Sequence, residues 1–249
     1  MGAHALITGG GTGIGRAVAG VLAPEHAVSL VGRRPEVLRD AAASLREAGA
    51  FAADVTDRSA LEAAIRAAED RFGPVEILVL AAGISDTAPL VKTDPAMLRR
   101  LLAVNVEGVL NAIQLVLPGM IEAGRGRIVA IASTASLKGY AYAGAYAASK
   151  HAVLGLVRSL ALETAKTGVT VNAVCPGFAD TEMTAESIAR IMEKTGRSAD
   201  EAKASLARTN PMGRLVAPAE VADSVRWLVG ASASAITGQA ISVSGGEVM

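Results

Sequence analysis

Thr8-Gly9-Gly10-Gly11-Thr12-Gly13-Ile14-Gly15 follows the apolar run Ala3 to Ile7 and leads directly into a segment of helical period from Arg16 to Leu22. That placement decides the fold. A Gly-rich turn between strand and helix lets the backbone approach a pyrophosphate, while the helix amino terminus offers unpaired N–H groups and a favourable dipole. Thr8, Gly9, Gly11, Thr12, Gly13, Ile14 and Gly15 are therefore candidate phosphate-binding residues. The alternative at this point is a tight turn that uses glycine for steric reasons alone. The Lys-Ser/Thr ending of a nucleoside-triphosphate loop is missing, which argues against nucleotide hydrolysis.

Outward from this turn, short apolar runs recur at Ala27 to Val31, Ile77 to Ala82, Arg127 to Ile131, Val169 to Val174 and Ala240 to Val243, with a weaker one at Ala50 to Ala53. The segments between them are too long for hairpins and carry helical period, so the strands pair in parallel through crossover helices. Continuous apolar runs fit strands buried on both faces, and the plan is an α/β, doubly wound parallel sheet in a single domain over residues 1–249. Asp94-Pro95 reads as a cap followed by Pro at the first helical position, and Ser198 with Glu201 as a capping box. The excursion from Phe178 to Val216 lacks strand character and reads as one or two helices, either a lid near 178–216 over a substrate cleft or an ordinary solvated pair.

Composition narrows the function. With 249 residues, 24 basic and 24 acidic side chains and 3% aromatics, the chain has neither the basic footprint nor the stacking platforms of a nucleic-acid binder. Cys175 is the only cysteine and His4, His26 and His151 are dispersed, so no disulfide framework or metal site is expected. The amino terminus shows no secretory leader and no uninterrupted apolar run reaches about 18 residues, which predicts a soluble, cytoplasmic protein with no membrane partner.

After the second strand, Gly32-Arg33-Arg34 stands where a dinucleotide fold often places a carboxylate for the ribose hydroxyls. Arg33 and Arg34 can instead clasp a 2′-phosphate, so NADP(H) is favoured over NAD(H); two solvated arginines at a helix start are the alternative. Asp54-Val55 can meet the adenine, or Asp54 and Asp57 can serve as helix caps. Ser133 at the end of the fifth strand precedes Tyr146-Ala147-Ala148-Ser149-Lys150, in which Tyr and Lys share a helix face. An ammonium there is expected to lower the phenol pKa toward neutrality, and the Ser133 hydroxyl to hydrogen-bond the substrate oxygen.

Taken together these residues resemble the short-chain dehydrogenase/reductase family along nearly the whole chain. Thr8, Gly9, Gly13 and Gly15 match its TGxxxGxG turn, Tyr146 and Lys150 its YxxxK, Ser133 its third catalytic position and Asn105, in VNVEG, its fourth. The resemblance implies a seven-stranded Rossmann sheet of order 3-2-1-4-5-6-7, hydride exchange between a nicotinamide and a carbonyl or secondary alcohol, and a homotetramer. It also implies nicotinamide contacts at Pro176, Gly177 and Thr181, and cofactor contacts at Asn105, Tyr146, Lys150 and the segment Ala81-Ala82-Gly83. One departure stands out: the family's NNAG reads Leu80-Ala81-Ala82-Gly83, so two Asn contacts must be made otherwise.

The VCPGFADTEM stretch and the tail SVSGGEV resemble ketoacyl and polyketide ketoreductases and hydroxyacyl-CoA dehydrogenases, which points to a 3-oxoacyl thioester substrate. The alternatives are NAD-dependent oxidation of a hydroxyacyl-CoA or a cyclic, hydrophobic alcohol, and, from another class, a non-catalytic dinucleotide sensor. Tyr140 and Tyr142 read as cleft-wall residues, His151 as core or interface packing, and Cys175 as an unreactive thiol.

Overall fold

The computed structural model describes residues 2–249. Its seven parallel strands are β1 (His4–Thr8), β2 (Ala27–Gly32), β3 (Ala48–Ala52), β4 (Val75–Leu80), β5 (Gly126–Ile131), β6 (Val169–Pro176) and β7 (Ala240–Val243), in the order β3-β2-β1-β4-β5-β6-β7. The order anticipated from the resemblance is the one observed. Every residue of β1 and β6 is buried, as their continuous apolar sequences require, whereas the edge strand β3 (Ala48-Gly49-Ala50-Phe51-Ala52) is largely half-buried and correspondingly weak in sequence.

Helices cover both faces. On one, α1 (Gly13–Leu22), α2 (Pro35–Ala43) and α9 (Pro218–Val229) bury Val18, Leu22, Leu38, Val221 and Leu228 against β1, β2 and β4. On the other, α3 (Arg58–Phe72), α5 (Gly108–Glu122) and α6 (Gly144–Glu163) bury Leu61, Ile65, Ile113, Val116 and Val157. Strand order reverses between β1 and β4, which opens a crevice at their carboxyl ends, the place where such sheets bind ligands.

α4 (Pro95–Leu102) runs through one wide π-type turn, Ala103–Glu107, into α5. The combined stretch Pro95–Glu122, at mean hydropathy 1.5, is the one helix among the described residues long and apolar enough to cross a membrane. Charges interrupt it, so it does not show as an apolar run in the sequence, and its buried stripe Val109, Ala112, Ile113, Val116 and Met120 packs on the sheet. Asp94 caps α4 by accepting from the Ala96 N–H at 2.8 Å, with Pro95 in the first turn. The excursion after β6 holds α7 (Glu182–Thr195) and α8 (Ala199–Ala207), the latter opened by the Ser198–Glu201 capping box. Its two ends are tied together, the Val216 N–H donating to Phe178 and the Asp180 N–H to Val216, both at 2.9 Å.

Candidate active site

The Gly-rich turn works by what it lacks. Gly9 sits at φ +68°, and a Cβ there would lie 2.7 Å from the Ala82 nitrogen; at Gly15 a Cβ would lie 2.2 Å from the Gly9 oxygen. Both positions demand glycine. α1 begins at Gly13, Thr12 supplies no side-chain cap and the first turn carries no acid, so the N–H groups at this helix end are available to an anion. A groove runs from here along Gly9, Gly11, Thr12, Arg33, Arg34, Asp54, Val55, Ala82 and Gly83, all residues singled out in the sequence, together with Gly32, Val37 and Ile84. A phosphate-bearing dinucleotide suits this lining: backbone donors at a helix amino terminus, two guanidinium groups at one end, and glycines where a Cβ would intrude.

Gly13, Ile14, Gly15, Ala81, Asn105, Tyr146, Lys150, Pro176, Gly177 and Thr181 lie outside that stretch of groove. Thr181 meets the Gly-rich turn instead, where a Cβ on Gly13 would come within 3.3 Å of the Thr181 methyl. Of the two roles open to Asp54, capping falls to Asp57 alone, which accepts from the Ala60 N–H at 3.0 Å; Asp54 accepts from the N–H and hydroxyl of Thr56 at 2.9 and 2.8 Å. Arg34 reaches the Glu182 carboxylate at the start of α7 at 3.4 Å, a pairing that nothing in the sequence signals.

At the other end of the crevice, Ser133 follows β5 in extended conformation and its Oγ accepts from the Ala135 N–H at 3.1 Å. Tyr146 and Lys150 project from one face of α6. Burial pushes the Tyr146 phenol above its usual value of 10, while the Ser133 hydroxyl pulls it back. Lys150 is only 7% exposed; its Nζ donates to the Ile131 carbonyl at 2.9 Å, and burial pulls it down to about 8 from its usual 10.5. This corrects the electrostatic expectation. The lysine Nζ stands 6.0 Å from the Tyr146 ring centre, and burial rather than the ammonium dominates the phenol.

Asn105, 1% exposed and held in the π-type turn, accepts from the Ile84 N–H at 2.9 Å and donates to the Ile84 carbonyl and the Ser149 hydroxyl at 3.0 Å each. Ser149 in turn donates to the Tyr146 carbonyl at 2.7 Å, so this residue, unmarked in the sequence analysis except as a spacer, joins the Asn105 turn to the catalytic helix. Gly83 keeps the space between them open: a Cβ would lie 3.3 Å from Asn105 Oδ1 and 3.7 Å from Lys150 Nζ. In the segment that lacks the Asn pair, the Thr8 carbonyl accepts from the Ala81 N–H at 3.1 Å and the Thr8 hydroxyl from the Ala82 N–H at 3.3 Å, stitching β1 to β4.

His151 is exposed with its ring bonded to the Ala147 carbonyl at 2.9 Å, so core packing is excluded for it. His4 is buried between the Gly73 carbonyl and Ser29. Burial pushes the Cys175 thiol up to about 11, which keeps it protonated despite nearby Lys150 and Arg158. Tyr142 is exposed at φ +68°, whereas Tyr140 is engaged in a polar cluster with Thr134 and Glu247.

A profile of the short chain dehydrogenases matches residues 3–191. The chain belongs to that family. A Streptomyces coelicolor protein assigned as a ketoacyl reductase is 40% identical, with 97% of this chain and 95% of that one covered. The cis-4-hydroxycyclohexanecarboxylate dehydrogenase of Sinomonas cyclohexanicum is 37% identical over 97% of this chain and 95% of its own. A crystal structure of an actinorhodin polyketide ketoreductase variant with NADPH superposes at a TM-score of 0.95, with 38% identity over 99% of this chain and 97% of that one. This short chain dehydrogenase is thus an NAD(P)-dependent oxidoreductase acting on a carbonyl or alcohol.

Proposed function

We propose that the chain is an NADP(H)-dependent ketoreductase of 3-oxoacyl thioesters, with Tyr146 as the proton donor. The observation that carries this is geometric: Ser133 at the end of β5 meets Tyr146 and Lys150, which share one face of α6, with the lysine Nζ 6.0 Å from the Tyr146 ring centre. Ser133 orients the carbonyl oxygen through its hydroxyl. Tyr146 gives that oxygen its proton as the alcohol forms, and is left as phenolate. Lys150 holds the nicotinamide ribose and stabilises the phenolate as its charge develops. Asn105, fixed by Ile84 and Ser149, holds the water through which Lys150 and then Tyr146 recover a proton. A nicotinamide, when bound, supplies the hydride. Oxidation of an alcohol uses the same groups in reverse.

Thr8 to Gly15, Ala81 to Gly83, Pro176, Gly177 and Thr181 form the cofactor's bed, and Asp54 with Val55 its adenine end. Arg33 and Arg34 support NADP(H) over NAD(H), since a guanidinium pairs with a 2′-phosphate that NAD(H) lacks. The ketoacyl reductase relative supports the thioester substrate. The cyclohexanecarboxylate dehydrogenase relative favours one second reading, a cyclic secondary alcohol. The presence of both Tyr146 and Lys150 weighs against a non-catalytic sensor.

We also place the enzyme in the cytoplasm as a homotetramer and a single domain over residues 1–249. The solvent face of α6 offers the small residues Ala148 and Gly155 for close helix contact, and among the described residues no neighbouring atom lies within 4 Å of a Cβ built on Gly155. Sedimentation at micromolar concentration checks this, and a 25 kDa species would refute it. The decisive test of function is turnover of 3-oxoacyl thioesters and cyclic ketones with NADPH and NADH in parallel. Reduction of a thioester with NADPH is expected; turnover of cyclic substrates alone would install the second reading.

A further inference from the structure

A charged side chain beyond the last strand is buried in a polar cluster next to Ser133. Glu247 follows the Gly245-Gly246 turn after β7, and its side chain is 1% exposed. One carboxylate oxygen lies 3.3 Å from Lys138 Nζ and accepts from the Tyr140 hydroxyl. The other is buried with no partner and faces Gly177, where a Cβ would lie 2.9 Å from it. Tyr140 also meets the Thr134 hydroxyl at 2.6 Å. A phenol has one proton and a carboxylate only accepts, so Tyr140 donates to Glu247 and Thr134 donates to Tyr140. Lys138 Nζ further reaches the Glu247 carbonyl at 3.4 Å and sits 4.9 Å from the Tyr140 ring centre, and that ring meets Phe178 edge-on at 6.5 Å. Burial and Glu247 both push the Tyr140 phenol up, which keeps it a donor at every working pH.

A carboxylate this deep is costly to desolvate, and half of it goes unpaired. Stability alone is therefore poorly served by it. What the arrangement does is geometric. Thr134 adjoins Ser133 in the chain, and Gly177 and Phe178 follow the end of β6, so the polar cluster joins the two turns that flank the catalytic serine to the last residues of the chain. We infer that Glu247 is a positioning residue: through Tyr140, Thr134 and Lys138 it fixes the Ser133 turn against the Gly177–Phe178 turn. The inference rests on the assignment of Ser133 and Tyr146 to catalysis made above. Small displacements at such a turn are enough to matter, since a misplacement of about 1 Å can cost roughly 100-fold in rate.

The test is a cycle of Glu247→Gln, Tyr140→Phe and the double variant, with ketone reduction, NADPH affinity and amide hydrogen exchange read on each. Both single changes are close to isosteric, so folding survives even where Glu247→Leu fails. The expected result is a loss of about tenfold to 100-fold in kcat for each, with the NADPH dissociation constant nearly unchanged. The double variant should be no worse than the poorer single one, and amides 136–138 and 177 should exchange faster. Glu247→Gln, which keeps an acceptor for Tyr140, should retain more activity than Glu247→Leu. Kinetic losses that multiply in the double variant, singles within about twofold of wild type, or unchanged exchange at both turns would each overturn the inference. Tyr146→Phe separates the two readings: if that variant stays active the catalytic assignment has failed, while the exchange arm still judges whether Glu247 holds the turns.

Discussion

The two ends of the crevice are built on opposite physical plans. The nucleotide end, from Gly9 to Arg34, works by absent side chains and by guanidinium groups left in solvent; Arg34 is 62% exposed and Arg33 is also exposed. The catalytic end buries its ionisable groups, with Lys150 at 7% and Glu247 at 1%. An exposed charge is screened by water and salt, so it discriminates weakly and adjustably. A desolvated charge interacts strongly and answers to pH instead. Substitutions at the catalytic end should therefore be severe and pH-dependent, and those at the nucleotide end mild and salt-dependent.

Tyr146→Phe is the sharpest way to break this contrast. It removes the proposed proton donor and leaves the Gly-rich turn untouched, so turnover should fall by about 10²-fold to 10⁴-fold, or further, while NADPH binds as before. A variant with more than about a tenth of wild-type kcat would mean that the proton comes from elsewhere.

Lys150→Met comes next, and its sign can be worked out. The folded protein holds Lys150 down to about 8, below its usual 10.5, so between those values the unfolded chain binds more protons and stability must rise with pH. Below about pH 8 both states are protonated and the burial cost, on the order of 3 kcal/mol, is constant. The ligand-free variant should thus resist urea better than wild type at pH 7, with the gain shrinking from about pH 8 upward. In activity the direction is reversed: the wild type should lose kcat/KM for reduction as the free enzyme passes about pH 8, and the variant should be crippled throughout with no such limb. Parallel urea midpoints across pH 7 to about 10.5 would refute the buried-ammonium account.

Much of this architecture was legible in the sequence because it is local or periodic. Strands buried on both faces read as unbroken apolar runs, and the Gly-rich turn, the Asp94 cap and the Ser198–Glu201 box are each contained in a few consecutive residues. Edge strand β3 blurred because a half-buried strand of Ala and Gly has no clear period, and its observed span begins two residues earlier than the apolar run suggested. Features that depend on distant partners left no local trace. Glu247 on Tyr140 is separated by 107 residues and Arg34 on Glu182 by 148. The Tyr146 and Lys150 spacing identified the pair, but spacing carries no information on burial, which is what sets the protonation of both.

At the nucleotide end, Arg33→Ala should weaken NADPH binding and spare NADH. A charge-assisted bond to phosphate is worth about 1.5–3 kcal/mol at best, and exposure places the effect near the lower figure, roughly tenfold. The preference for NADPH should shrink as salt rises toward about 1 M. Equal impairment with both cofactors would show that Arg33 serves the adenosine rather than the phosphate.

The smallest effect concerns Glu182, at the start of α7, whose carboxylate lies 3.4 Å from Arg34. A 2′-phosphate at this end of the groove competes with that carboxylate for the same guanidinium, and a second negative charge nearby also repels it. Both side chains are more than 60% exposed, so the pair is worth at most about 1 kcal/mol. Glu182→Gln should therefore tighten NADPH by no more than roughly fivefold, leave NADH where it was, and lose its effect at high salt. Titration of both cofactors by fluorescence at low and high ionic strength measures this directly. Weaker NADPH binding in the variant would invert the argument, since Glu182 would then be holding Arg34 in place for the phosphate; equal tightening of NADH would mean that Arg34 acts through α7 and never meets the phosphate at all.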